Sequence, residues 1–92
     1  MTLSMKVEAF LGDSVTGKSL GTADVELARG RNELEVSGPG MRTLWNMIGK
    51  VQPNGVGNVE FSLVANGIEF QACRIVGMGG VMRISFLRER DL

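Results

Sequence analysis

The chain has 92 residues, 43% of them apolar, with ten basic side chains against ten acidic ones and neither histidine nor tyrosine. That length makes a single domain, 1–92, with a modest core, and charge balanced in both halves advertises no polyelectrolyte partner. Without histidine, the usual general base, the usual zinc ligand and the Ser/His and Cys/His nucleophile pairs are excluded within one chain, so no catalytic residue, cofactor or metal site is assigned.

The first element is "MKVEAFL", residues 5–11, where Met5, Val7, Ala9 and Leu11 alternate with Lys6, Glu8 and Phe10 in the two-residue period of a half-buried strand. It runs into "GDSVTGKS", residues 12–19, which fits G-x-x-x-x-G-K-[ST] at every fixed position. These eight residues resemble the phosphate loop of P-loop NTPases. The resemblance implies ATP or GTP binding through Gly12, Gly17, Lys18 and Ser19, with the lysine on the outer phosphates and the hydroxyl on magnesium. A phosphate loop works because a helix starts at its Gly-Lys end and aims free amides at the anion. Here "LGTADVELARG" follows, with glycine in the would-be first turn and strand alternation after it. The loop is therefore read as a turn between antiparallel strands, with Asp13, Ser14 and Thr16-Gly17 serving turn chemistry.

Residues 22–28 set Ala23, Val25 and Leu27 against Asp24 and Glu26, a second strand; Gly21 and Gly30 leave barely two turns for the competing helix. "RGRN" turns the chain into a short strand over 33–36. "SGPG" then changes the rhythm: Ser37 or Gly38 can cap, proline suits a helix start, and Met41, Leu44, Trp45 and Ile48 recur at i, i+3, i+4, i+7. One amphipathic helix is predicted near 39–51, ended by Gly49 and Pro53.

The run "NVEFSLVANGIEFQACRI" is two alternating segments joined by Asn66-Gly67, the residues favoured in a type I′ hairpin turn. The implied register opposes Ala65 to Ile68, Leu63 to Phe70 and Phe61 to Ala72 on one face, with Val64/Glu69, Ser62/Gln71 and Glu60/Cys73 on the other. Cys73 is the single cysteine, so no internal disulfide forms and a cytoplasmic location, or a host cytoplasm for a phage-encoded chain, is expected. Opposite Glu60, its thiol is read as inert.

An even loop at "GMGG", residues 77–80, pairs Val76 with Val81 and leaves apolar residues on both faces, which a helix and a second layer or subunit would then have to cover. One extra residue gives Phe70/Phe86, Ala72/Ile84 and Arg74/Met82 instead, so a bulge is predicted within residues 77–80. The charged "RERDL", residues 88–92, is read as a fraying tail. Uncharged runs reach about half a membrane span, and Met1 is followed by no charged-then-apolar leader, so neither insertion nor secretion is expected.

Thirteen glycines, about twice the usual share of roughly 7%, fit tight turns between short strands. The expected fold is mainly β, α+β at the margin: a small antiparallel β-sandwich or half-open barrel of five or six strands with one helix, in the order ββ(β)-α-βββ. The expected function is a non-catalytic protein-protein interaction or assembly module, of the kind found as a phage or mobile-element structural or inhibitor protein. A homo-oligomer is expected, formed through a strand edge or the Met/Trp-bearing region, with Met41, Arg42, Trp45, Arg83 and Arg88 as partner-binding candidates. A competing reading is single-stranded nucleic-acid binding by Arg74, Arg83, Arg88 and Arg90 beside Phe61, Phe70 and Phe86, but those phenylalanines fall on the expected core face. Glu60, Glu69 and Asp24 are read as solvated strand residues, with no catalytic pair among them.

Overall fold

A computed structural model describes residues 3–51 and 60–92. The alternating segments form β1 (Leu3–Leu11), β2 (Lys18–Arg29), β3 (Glu33–Ser37), β4 (Phe61–Ala65), β5 (Ile68–Met78), β6 (Met82–Ser85) and β7 (Arg88–Asp91), with α1 (Met41–Lys50) between β3 and β4. All pairings are antiparallel. β1, β2, β3, β6, β5 and β4 pair in sequence, and β4 returns to β1, closing a six-stranded ring. This is the mainly β, one-helix architecture that the sequence predicts. Pro53 and the Asn58-Val59 start of the fourth alternating run lie outside the described residues.

The core collects one side of strands β1 to β6: Val7 and Ala9, Ala23, Val25 and Leu27, Leu34 and Val36, Phe61 and Leu63, Cys73 and Ile75, Met82 and Ile84. Helix α1 adds Leu44 and Ile48, with Met41, Trp45 and Met47 partly buried against the same cluster. Neither Ser37 nor Gly38 caps this helix: Ser37 ends β3, Gly38 takes a positive φ of 88°, and Gly40 occupies the N-cap without a side-chain hydrogen bond. Gly40 lies so close to the Asp24 carbonyl of β2 that a Cβ there would collide with it, which explains a glycine at a position that otherwise favours a capping side chain.

Bulges bend the strands so that the ring can close. In β2, Leu20 is the extra residue between the Ala9/Gly21 and Phe10/Ser19 pairs. In β5, the hairpin pairs Ala65/Ile68, Val64/Glu69 and Leu63/Phe70 form as predicted. Phe61 then opposes Cys73 rather than Ala72, because Ala72 sits at φ 55° as an inserted residue. A one-residue slip exchanges faces, so beyond Ala72 it is Cys73 and Ile75 that are buried, while Arg74 points out to an exposed pairing with Glu60 at 2.8 Å.

A second slip at Val76 lies just before, not within, residues 77–80. The pairs Arg74/Ser85, Ile75/Ile84, Gly77/Arg83 and Met78/Met82 replace both predicted registers of this hairpin. The Arg74/Ser85 register continues unbroken into Gln71/Arg88 and Ile68/Asp91, so β6 and β7 track β5 as one interrupted strand. Residues 88–91 are therefore a sheet strand and not a fraying tail.

The left-handed conformation at Ala72 costs a side-chain-bearing residue about 1–2 kcal/mol, which glycine avoids at a smaller entropic cost. Ala72→Gly is expected to raise stability by about 0.5–1 kcal/mol, read as a higher denaturant midpoint with an unchanged m-value.

Candidate functional site

The β1–β2 loop folds over the outer face of β4 and β5. Asp13 organises it from within: its Oδ1 accepts the N–H of Val15 at 2.8 Å and of Thr16 at 2.6 Å, and its carbonyl accepts the N–H of Gly17 at 3.0 Å. Hydrogen bonds from Thr16 and Val15 hold the exposed Asp13 carboxyl below the usual carboxylate range. Ser14 donates its N–H to Glu69 Oε2 and its hydroxyl to Glu69 Oε1, both at 2.8 Å, and Arg90 reaches Oε1 at 2.5 Å. Ser62 donates to the Gly12 carbonyl at 2.5 Å.

Both motif glycines answer to this turn: Gly12 has φ 90°, and a Cβ on Gly17 would strike the Asp13 and Leu11 carbonyls. Lys18 and Ser19 open strand β2 rather than a helix, and Ser19 donates to Glu8 at 2.7 Å. The loop amides that an anion would need are thus already held within the chain, those of Ser14, Val15 and Thr16 by two carboxylates and that of Gly17 by the Asp13 carbonyl.

Glu69 is the largest departure from the expected site. Alternation placed it in water, yet it is fully buried beneath the loop. Burial pushes its pKa up, and the two Ser14 hydrogen bonds with the Arg90 charge outweigh that, leaving it lowered. Nothing local signals this, because its partner Ser14 lies 55 residues away. Cys73 is also displaced from expectation: burial, not Glu60, pushes its thiol up to about 12, and the thiol donates to the Phe70 carbonyl.

Beside the loop, a polar cleft of about 420 Å³ is lined by Gly12, Asp13, Glu60, Ser62, Gln71, Ala72 and Arg88. Its charged groups have partners within the chain: Asp13 binds the loop, Glu60 pairs with Arg74, and Arg88 donates to Gln71 at 3.3 Å.

A second concavity, about 290 Å³, is largely apolar and lined by Leu3, Met5, Leu27, Ala65, Ile68 and Phe70, with Arg29 and Asn66 at its rim. Arg29 lies 5.4 Å from the Phe70 ring centre and pairs with Glu89 of β7. Here the ring is incompletely zipped. β4 pairs with β1 only from Val7 onward, so among the described residues no strand flanks residues 3–6 on that side, and β7 pairs only with β5.

The partner-binding candidates are dispersed. Met41 and Trp45 pack toward the core, Arg42 is exposed on α1, Arg83 stands on β6 opposite Glu35, and Arg88 borders the polar cleft on β7. Phe61, Phe70 and Phe86 are buried. Leu3, 55% exposed, and the open side of β1 have no local sequence signal; recognising them requires knowing where β4 stops.

No protein-family model, curated protein or solved structure matches the chain.

Proposed function

We propose that this protein is a non-catalytic assembly module that binds another protein chain through strand addition. The observation that carries the reading is the open side of β1, whose residues 3–6 lack a flanking strand among the described residues and border an apolar concavity. An unflanked strand offers a row of backbone donors and acceptors to an incoming chain, and neighbouring apolar side chains supply affinity and selectivity. Exposed Leu3 and half-buried Met5 and Ile68 suit that role. Nucleotide binding draws no support from a loop whose amides are already occupied.

Sedimentation of the purified protein, together with capture of the tagged protein from its source cells, tests the reading. The expected outcome is a mass above one chain, or a stable complex with one protein, that survives raised salt as apolar burial does. Material that stays at 9.9 kDa and captures no protein would remove the proposal. A nucleic-acid complex lost steeply with salt would replace it.

A further inference from the structure

Among the described residues, strand pairing stops short on one side at four places: β2 before Glu26, where Met47 of α1 lies beside Gly21, β5 beyond Cys73, β7, and the start of β1. The last two differ in what they can pair with. Joining two copies edge to edge about a two-fold axis makes the strands antiparallel, and directly opposed residues then share a face of the combined sheet. A residue at an even position therefore meets an even position of the second copy, and an odd meets an odd. β7 reads Arg88, Glu89, Arg90, Asp91, so every two-fold register sets arginine against arginine and acid against acid. Like charges directly opposed are destabilising; β7 is guarded against its own kind, as natural edges commonly are.

β1 carries no such alternation of charge: in its open stretch, residues 3–6, Lys6 is the one charged side chain. The direction of its backbone groups follows from the Asn66-Gly67 turn, where both residues have positive φ, 51° and 77°. The residues closing such a two-residue hairpin exchange both hydrogen bonds, so the peptide groups of Ala65 point to β5 and those of Val64 point to β1. Val64 opposes Glu8; the groups of Glu8 therefore point toward β4, and by alternation so do those of Lys6 and Ser4. Past the Val7/Ala65 pair β4 ends in its turn, and Ser4 and Lys6 present N–H and C=O outward.

We propose that a second copy of this chain adds at this edge, β1 against β1, centred on Ser4; the proposal rests on the assembly reading and specifies its partner and register. In that register Ser4 exchanges two backbone hydrogen bonds with the partner's Ser4, and Leu3 opposes the partner's Met5 on either side. Leu3 and Met5 lie on the side that lines the apolar concavity, so the partner's equivalents extend it with further apolar surface. The two Lys6 side chains fall at opposite ends of the pair. Centring on Met5 would drive the partner's Leu3 into the space that Ala65 fills opposite Val7, and centring on Lys6 would oppose two ammonium groups.

Ser4→Pro tests the edge. It deletes an outward N–H and leaves the ladder to β2, carried by Leu3 and Met5 against Leu27 and Val25, in place. The expected result is a wild-type chain that sediments at two chain masses and a variant at one, with the same circular dichroism. A wild-type dimer that Ser4→Pro does not weaken overturns this interface while leaving the assembly reading standing. A wild-type monomer also overturns it, and a stable complex with a different protein would then still uphold assembly. Register, and the case in which the proline variant fails to fold, are decided by cysteine pairs. Leu3→Cys with Met5→Cys in one chain is expected to link two chains on mild oxidation, while neither single variant does. Equal linking by Leu3→Cys alone overturns the register.

Discussion

Glu69→Gln is expected to lower the unfolding midpoint by about 10–20 °C, corresponding to about 2–3 kcal/mol in a domain of this size. The carboxylate presents two acceptor oxygens to three donors: Oε2 to the Ser14 N–H, and Oε1 to the Ser14 hydroxyl and the Arg90 guanidinium. An amide offers one acceptor and one donating NH₂ group. Turned one way, its NH₂ faces the Ser14 N–H; turned the other, it faces the Arg90 guanidinium, and either way the charge that drew Arg90 to the buried group is gone. Arg90→Ala should cost less, about 1 kcal/mol, because Arg90 is 45% exposed and its removal leaves both Ser14 bonds in place.

The same residue gives the protein an acid-sensitive component of stability. Glu69 has a lowered pKa in the fold. Its contribution is therefore fully present above the pKa of an unfolded-chain glutamate and is lost as pH falls through the folded value. The gap in midpoint between wild type and Glu69→Gln should be widest near neutrality and close on acidification, as followed by thermal melts across that range. A gap independent of pH would mean that the carboxylate's charge is not what holds the loop.

Much of the architecture is legible in the order of residues, for local reasons. Asn66-Gly67 supplies the two positive φ values of its turn, the apolar stripe Met41, Leu44, Trp45, Ile48 can be satisfied only by a helix lying on the sheet, and Ala23, Val25 and Leu27 are buried as alternation requires. The illegible parts share one cause: positions where the chain leaves the two-residue period for a reason located elsewhere. Alanine at 72 does not announce a left-handed residue, yet its bulge moves Cys73 and Ile75 inward and Arg74 outward. The charge of Arg88–Asp91 suggests a free end, but an unbroken register along β5 claims it. Glu69 reads as solvated because the loop that covers it belongs to the first hairpin. The open side of β1 becomes visible only when the reach of β4 is known, since it is defined by where pairing stops at Val7/Ala65.

The residues that spell the phosphate pattern give a contrast between two neighbours. Gly17→Ala is expected to destabilise the protein by about 2–3 kcal/mol, whereas Lys18→Ala should change stability by less than about 0.5 kcal/mol. A Cβ at position 17 would lie within the contact distance of the Leu11 and Asp13 carbonyls and 2.8 Å from the Asp13 amide, all backbone atoms that cannot swing aside without unseating Ser14 from Glu69. Lys18 is exposed at the first position of β2, opposite Leu11. If the loop cradled a triphosphate, the ranking would invert in the presence of nucleotide: Lys18 would hold the outer phosphates, and its loss would abolish a ligand-induced rise in midpoint. Melting the wild type and both variants with and without magnesium-ATP and magnesium-GTP separates the cases. A hairpin turn predicts no nucleotide-dependent shift in any of them and a large penalty at Gly17 alone. A wild-type midpoint that rises with nucleotide and loses the rise in Lys18→Ala would mean that the loop exchanges its own carboxylates for a phosphate.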